Sequence, residues 1–222
     1  MPPPMTALRL IALAASAASL SGCNPLMQGS LNTLGASLHG PAKLEVTQVQ
    51  VDALPYYQIQ VTTEYGSAVM ALVRVQGKLQ YWRANSNQLL LLEDGVIVRT
   101  LGFPEDLLGT RLAADSPFSR GLQRVADGQP SQRWIDLGSN TQFDISLRGT
   151  FHPAGIETVR ILDRDHSLLR VDESLASPVA GMSSTNHYWI DPQDGFILQS
   201  RQQVTPSLSV TLTQLRPLRG QP

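Results

Sequence analysis

Between Gln58 and Leu215 apolar and polar residues repeatedly alternate with a period of two, the pattern of half-buried strands and not of helices. Leu208, Val210 and Leu212 alternate with Ser209, Thr211 and Thr213; Ile59, Val61 and Thr63 with Gln58, Gln60 and Thr62; Val69, Ala71, Val73 and Val75 with Met70, Leu72 and Arg74. Successive strand residues face opposite sides, so each run offers one face to a core and the other to water. Leu79 and Tyr81 follow a break at Gln76-Gly77. Glu93-Asp94-Gly95 then separates Leu89-Leu90-Leu91-Leu92 from Val96-Ile97-Val98, and Asp-Gly supplies the two positive φ values of a type I′ hairpin turn. Strand patterns recur at 133–137, 141–147, 157–162, 168–174, 187–190, 196–204 and 207–215. The segment from Gly102 to Ser131 loses the alternation and reads as an irregular crossover, with a turn or two of helix around Phe118, Leu122 and Val125. The expected fold is all-β: an antiparallel meander of about ten strands forming a sandwich or an open barrel.

Composition narrows the function. The 222 residues carry 17 basic and 18 acidic side chains, a net charge of −1 that argues against a dedicated nucleic-acid binder. A 42% apolar fraction argues against disorder. A single cysteine can form neither an internal disulfide nor a Cys-rich zinc site.

That cysteine, Cys23, closes a targeting segment in which Arg9 precedes an apolar run, Leu10 to Leu20, too short to span a bilayer. Leu20-Ser21-Gly22-Cys23 resembles the lipobox of bacterial lipoproteins. The resemblance implies cleavage before Cys23, diacylglycerol on its sulfur and an acyl chain on its new amino terminus; two such signals anchor stably where one does not. The expected organisation is a signal peptide over 1–22, a lipidated N-terminus and tether over 23–43, and a single β-rich domain over 44–222. Met1 to Pro4 add nothing to such a signal, so translation is expected from Met5. In the tether, Leu31, Leu34 and Leu38 permit a short amphipathic helix that Gly35 weakens and Gly40-Pro41 ends. Asn24 stands where lipoproteins retained in the inner membrane of Gram-negative bacteria carry Asp, which points to the outer membrane.

No catalytic, metal or cofactor site is expected. A Gly-x-Ser-x-Gly elbow is missing, and His39, His152, His166 and His187 include no i, i+4 pair. Asp163, Asp165 and His166 surround Arg164 between two strand patterns and read as a charged hairpin turn; Asp191-Pro192-Gln193-Asp194-Gly195 reads as a β-turn. Glu45, Glu64, Glu93, Glu105, Glu157 and Glu173 supply carboxylates for glycoside hydrolysis, but no spacing pairs two of them, and most are expected on solvated strand faces. Aromatics occur as Tyr56-Tyr57, Tyr81-Trp82 and Tyr188-Trp189, with Trp134 alone. One member of each pair must face outward if the other is core. Tyr81, Trp82, Trp134, Tyr188 and Trp189 are therefore the candidate contacts for a glycan or a partner.

Several segments carry a wider resemblance: Ala53-Leu54-Pro55-Tyr56; Ala71-Leu72-Val73 through Gly77-Lys78-Leu79-Gln80-Tyr81-Trp82; Leu89 to Gly102 with Asp94-Gly95 and Arg99-Thr100-Leu101-Gly102; Tyr188-Trp189-Ile190-Asp191-Pro192; Gly195; Ser200-Arg201-Gln202; and Leu215-Arg216-Pro217. In this order, behind a lipobox, they resemble the YjbF/GfcB family of group 4 capsule and exopolysaccharide lipoproteins. The resemblance implies a lipid-anchored outer-membrane protein facing the periplasm, without established catalytic residues, that assists polysaccharide production or secretion. Its expected partners are the membrane, through the lipid, and either an outer-membrane export protein or the polysaccharide. Two other readings remain: a polysaccharide-modifying enzyme, which needs two close acids or a metal, and a lipid or lipoprotein carrier, which needs an apolar slot.

Overall fold

The computed structural model describes residues 44–138 and 142–219. The signal peptide, Cys23 and the tether expected over 23–43 lie outside the described residues. Twelve strands form one antiparallel sheet: β1 (Gln58–Thr63), β2 (Gly66–Gln76), β3 (Leu79–Arg83), β4 (Leu89–Glu93), β5 (Val96–Leu101), β6 (Leu107–Leu112), β7 (Gln129–Leu137), β8 (Gln142–Ile161), β9 (Arg164–Ser177), β10 (Met182–Ile190), β11 (Ile197–Gln203) and β12 (Ser209–Arg216). Their order is β5-β4-β3-β2-β1-β12-β11-β10-β9-β8-β7-β6, two meanders joined where β1 pairs with β12. The sheet curls into a nearly closed barrel, the open-barrel form of the expected all-β meander, and its two end strands, β5 and β6, lie beside one another.

Side chains close the seam that backbone pairing leaves open. The Thr100 hydroxyl on β5 donates to Asp106 at 3.0 Å and accepts the Leu107 N–H at 2.8 Å. From β11, Gln202 accepts the Ile97 N–H at 3.1 Å and donates to the Gly95 carbonyl at 2.9 Å, satisfying edge groups that would otherwise be buried without partners. Glu105 contributes from the β5–β6 connection by accepting from the Thr205 and Ser207 hydroxyls.

The hairpin at Asp94-Gly95 forms as the sequence requires, with Glu93 opposite Val96 and φ of 48° and 81° at the two turn residues. Three elements depart from the sequence reading. Residues Leu107–Leu112, expected in the irregular crossover, form β6, whose alternation is obscured by a bulge between Leu107 and Gly109. The two separate runs expected at 141–147 and 157–162 are one strand, β8, bent by a bulge at Pro153/Gly155. A short helix, α1 (Gln48–Asp52), precedes β1; Thr47 and Gln50 make a reciprocal capping box, and Val51 is buried. The crossover does contain the expected helical turns, α2 (Pro117–Arg120) and a 3₁₀ turn over Leu122–Arg124.

One core fills the barrel interior, with Ile59, Met70, Trp82, Leu90, Leu147 and Leu212 among its members. A second gathers Phe118 and Leu122 of the crossover against Phe151, Val171, Tyr188 and Ile190. Phe118 meets the rings of Phe151 and Tyr188 edge-on, with centroids 5.4 and 5.2 Å away.

Candidate functional site: a polar pocket at one end of the barrel

In a meander every second turn falls at the same end. Here the β2–β3, β4–β5 and β10–β11 turns converge with the crossover and with Leu218-Arg219 beyond β12, around an open pocket of about 590 Å³. That volume lies within the range of about 300–1,000 Å³ usual for ligand sites. Gln80, Leu92, Ile197 and Gln214 supply its inner wall, and Lys78, Asp94, Arg120, Arg124, Asp194 and Arg219 its charged part.

Both carboxylates of the pocket are held by cations. Lys78 Nζ lies 2.8 Å from Asp94, and Arg219 lies 3.1 Å from both Asp191 and Asp194 while its guanidinium stacks 5.0 Å above the Phe196 ring. The Gln193 backbone N–H is the main influence holding the Asp191 carboxyl below its ordinary range, with Arg219 adding to it against an opposing effect of partial burial. Arg120 and Arg124 make no ion pair among the described residues, so the pocket keeps a surplus of positive charge in a chain whose net charge is −1.

Two amide oxygens of the pocket are left without partners. Gln80 accepts the Trp82 indole N–H at 3.2 Å, whereas Gln123 Oε1 and Gln214 Oε1 are buried and accept nothing. Each such orphan costs about 1–3 kcal/mol. Gln214 is only 7% exposed, because its place on β12 continues the inward face of Val210 and Leu212. The Gln123 amide sits against Gly121 and Gly195, in the space a Cβ at either glycine would fill. Both Gly195→Ala, at φ 78°, and Gly77→Ala, at φ 59° with open space around it, carry the backbone penalty of about 1–2 kcal/mol, and Gly195→Ala, which must also displace Gln123, is expected to melt a few degrees lower than Gly77→Ala. Equal melting temperatures for the two variants would show that Gln123 is not seated there.

The five aromatic candidates do not form a platform, and none lines the pocket. Trp82 and Tyr188 are completely buried and cannot meet an external ligand; the inward phase of β3 and β10 places them in the core. Tyr81, Trp134 and Trp189 are half-buried and already engaged. Arg74 lies 5.6 Å from the Tyr81 ring, Arg111 lies 4.2 Å over Trp134, and Trp189 donates to Glu157 at 2.7 Å.

Around Trp189 the outer face of β8, β9 and β10 carries a connected polar network. Arg170 bridges Glu157 (2.7 Å) and Asp172 (2.8 and 2.7 Å), and His187 Nδ1 lies 2.7 Å from Asp172. The Trp189 N–H first, then Arg170, holds the Glu157 carboxyl below its ordinary range; Arg170 first, then His187, does the same for Asp172. A carboxylate with a depressed folded-state pKa contributes stability above its unfolded value and loses it as pH falls through the folded one. Urea midpoints are thus expected to stay level down to about pH 5 and then fall, with a shallower slope between about pH 4 and pH 2 in Asp172→Asn. An unchanged acid slope in that variant would remove this assignment.

Glu173 is an exception to the solvated positions expected for most of the glutamates: it is completely buried. It accepts from Arg133 at 3.0 Å, Ser131 at 2.8 Å, Asn186 at 3.2 Å and Tyr188 at 3.1 Å, and Gly149 lies where any side chain would collide with it. Burial is the largest single influence on the Arg133 guanidinium and works against its charge, but the Glu173 and Tyr188 charges and their hydrogen bonds together outweigh it and raise its pKa. Burial and the same carboxylate push the Tyr188 hydroxyl up. At the hairpin tip, Asp165 pairs with Arg160 across the strands at 3.1 Å, and not with the adjacent Arg164.

The chain can be compared with known proteins on this basis. The family described as group 4 capsule polysaccharide lipoprotein gfcB, YjbF matches residues 31–215. The uncharacterized lipoprotein GfcB of Escherichia coli (strain K12) is 26% identical over 213 residues, spanning 95% of this chain and 99% of that protein. The crystal structure of the hypothetical lipoprotein YmcC from Escherichia coli (K12) superposes with a TM-score of 0.71 at 26% identity, over 84% of this chain and 95% of that one.

Proposed function

Because the chain belongs to the YjbF family of group 4 capsule polysaccharide lipoproteins, we propose that it is a lipid-anchored, non-enzymatic accessory protein of polysaccharide production that binds the polymer in the pocket at the end of the barrel. The observation that carries this reading is the pocket itself, a concave site whose inner wall carries the unsatisfied Gln214 oxygen, an acceptor for the hydroxyl donors in which sugars abound. Binding is favoured over acid–base chemistry because Asp94 and Asp194 are each fixed in an ion pair. A carrier's apolar slot is disfavoured because Met70, Trp82 and Leu90 occupy the interior. Cys23 supplies the anchor, and Asn24 after it supports an address at the periplasmic face of the outer membrane.

Deleting the gene should lower polysaccharide at the cell surface while precursor synthesis continues, and the wild-type gene should restore it. Unchanged surface polysaccharide under inducing conditions would overturn the proposal. Crosslinking in the native envelope that captured only an outer-membrane protein through the pocket residues would replace the polymer with a protein partner.

A further inference from the structure

Resting on the pocket as the polymer's binding site, we infer that it selects an anionic sugar residue, a uronate, whose carboxylate meets Arg120 and Arg124 and whose hydroxyls donate to Gln214 Oε1. Two independent features of the pocket impose two different demands. The first is charge. Of its four cations, Lys78 and Arg219 are committed to Asp94 and Asp194, while Arg120 and Arg124 are exposed and make no ion pair among the described residues. A guanidinium pair of this kind matches an oxyanion such as a carboxylate. The second is the orphan acceptor of the inner wall, Gln214 Oε1.

A bare inorganic anion answers only the first demand, because it brings no sugar hydroxyls to the amide oxygen. A neutral sugar answers only the second and leaves the arginines without a partner. A sugar acid answers both. Leu92, Phe118 and Ile197 add apolar surface for the C–H face of a pyranose ring. Placement also favours selection: the arginines sit on the short crossover turns, and Gln214 on the packed wall.

The test uses the lipidated full chain in detergent, titrated with a hexamer of galacturonic acid and with maltohexaose as its neutral counterpart. Binding is followed by heat and by the side-chain amide resonances of the glutamines. The uronate hexamer is expected to bind about tenfold more tightly than the neutral one, with the difference shrinking as salt rises. It should shift the Gln214 amide. Arg120→Ala combined with Arg124→Ala should abolish the preference without changing the melting temperature, since both side chains are exposed. Gln214→Leu should weaken both hexamers, and Gln214→Glu, which keeps an acceptor but adds a like charge, should weaken the uronate selectively.

Equal affinity for the two hexamers, or a preference that survives in the double arginine variant, would overturn the inference while leaving a neutral-glycan site intact. Competition by inorganic phosphate as strong as that by the uronate would overturn it in favour of a simple anion site. If neither hexamer binds, the inference falls, while the surface polysaccharide of the deletion strain still decides the broader function.

Discussion

Glu173→Ala is expected to lower the unfolding free energy by about 3–5 kcal/mol, the cost of stranding a buried charge. Arg133 would lose Glu173, its only carboxylate partner among the described residues, with one of its terminal nitrogens already unpartnered and the Phe118 ring 5.8 Å away. Ser131, Asn186 and Tyr188 would each lose an acceptor in the same place. At about 2–4 °C per kcal/mol for a domain of this size, the melting temperature should drop by about 10 °C. Arg133→Met combined with Glu173→Leu removes both charges together and should recover most of the loss, because an intact buried pair contributes little beyond its apolar replacement. Thermal unfolding of the three proteins checks this directly; a loss below about 1 kcal/mol in the single variant would mean that Arg133 finds another counter-charge.

The second large effect concerns the anchor. Cys23→Ser removes the thiol that the proposed anchor needs to carry diacylglycerol. Without acyl chains the protein should move from the membrane fraction to the soluble periplasmic fraction, essentially completely, because membrane affinity accrues at about 0.8 kcal/mol for each buried methylene of an acyl chain. Fractionation of cells expressing each form gives the answer. Membrane retention, in a wash of high salt, of Cys23→Ser protein that has lost its leader would show that the barrel itself, or a partner, holds it there.

Much of the fold was legible because a half-buried strand writes its phase into the sequence. Leu208, Val210 and Leu212 announced β12, and Asp94-Gly95 announced a two-residue hairpin. What failed, failed for physical reasons. β6 was hidden because a bulge at Leu107/Gly109 shifts its phase, and β8 was split because Pro153 and Gly155 look like a strand's end when they mark a bend. The helix α1 was readable in principle, since Thr47 and Gln50 stand at capping-box spacing.

Glu173 was readable too. It sits in register with Val171 and Leu175 on the buried face of β9, and a carboxylate in that phase must have a partner. The partner, Arg133, is forty residues away on another strand, and no local pattern names it. The pocket was the least visible feature. Its turns can each be found in the sequence, but their convergence depends on β1 pairing with β12, a closure between the first and last strands that period and spacing do not encode.

Surface polysaccharide in a deletion strain, complemented either with the wild-type gene or with Gln214→Glu, tests most directly whether the pocket is where the protein works. Both proteins must first be shown to reach the membrane in equal amounts with similar melting temperatures. Wild type should restore the polymer, and Gln214→Glu, which alters the inner wall of the pocket while leaving the anchor and the Glu173 network untouched, should not. Full restoration by Gln214→Glu would contradict the assignment of polymer binding to this pocket.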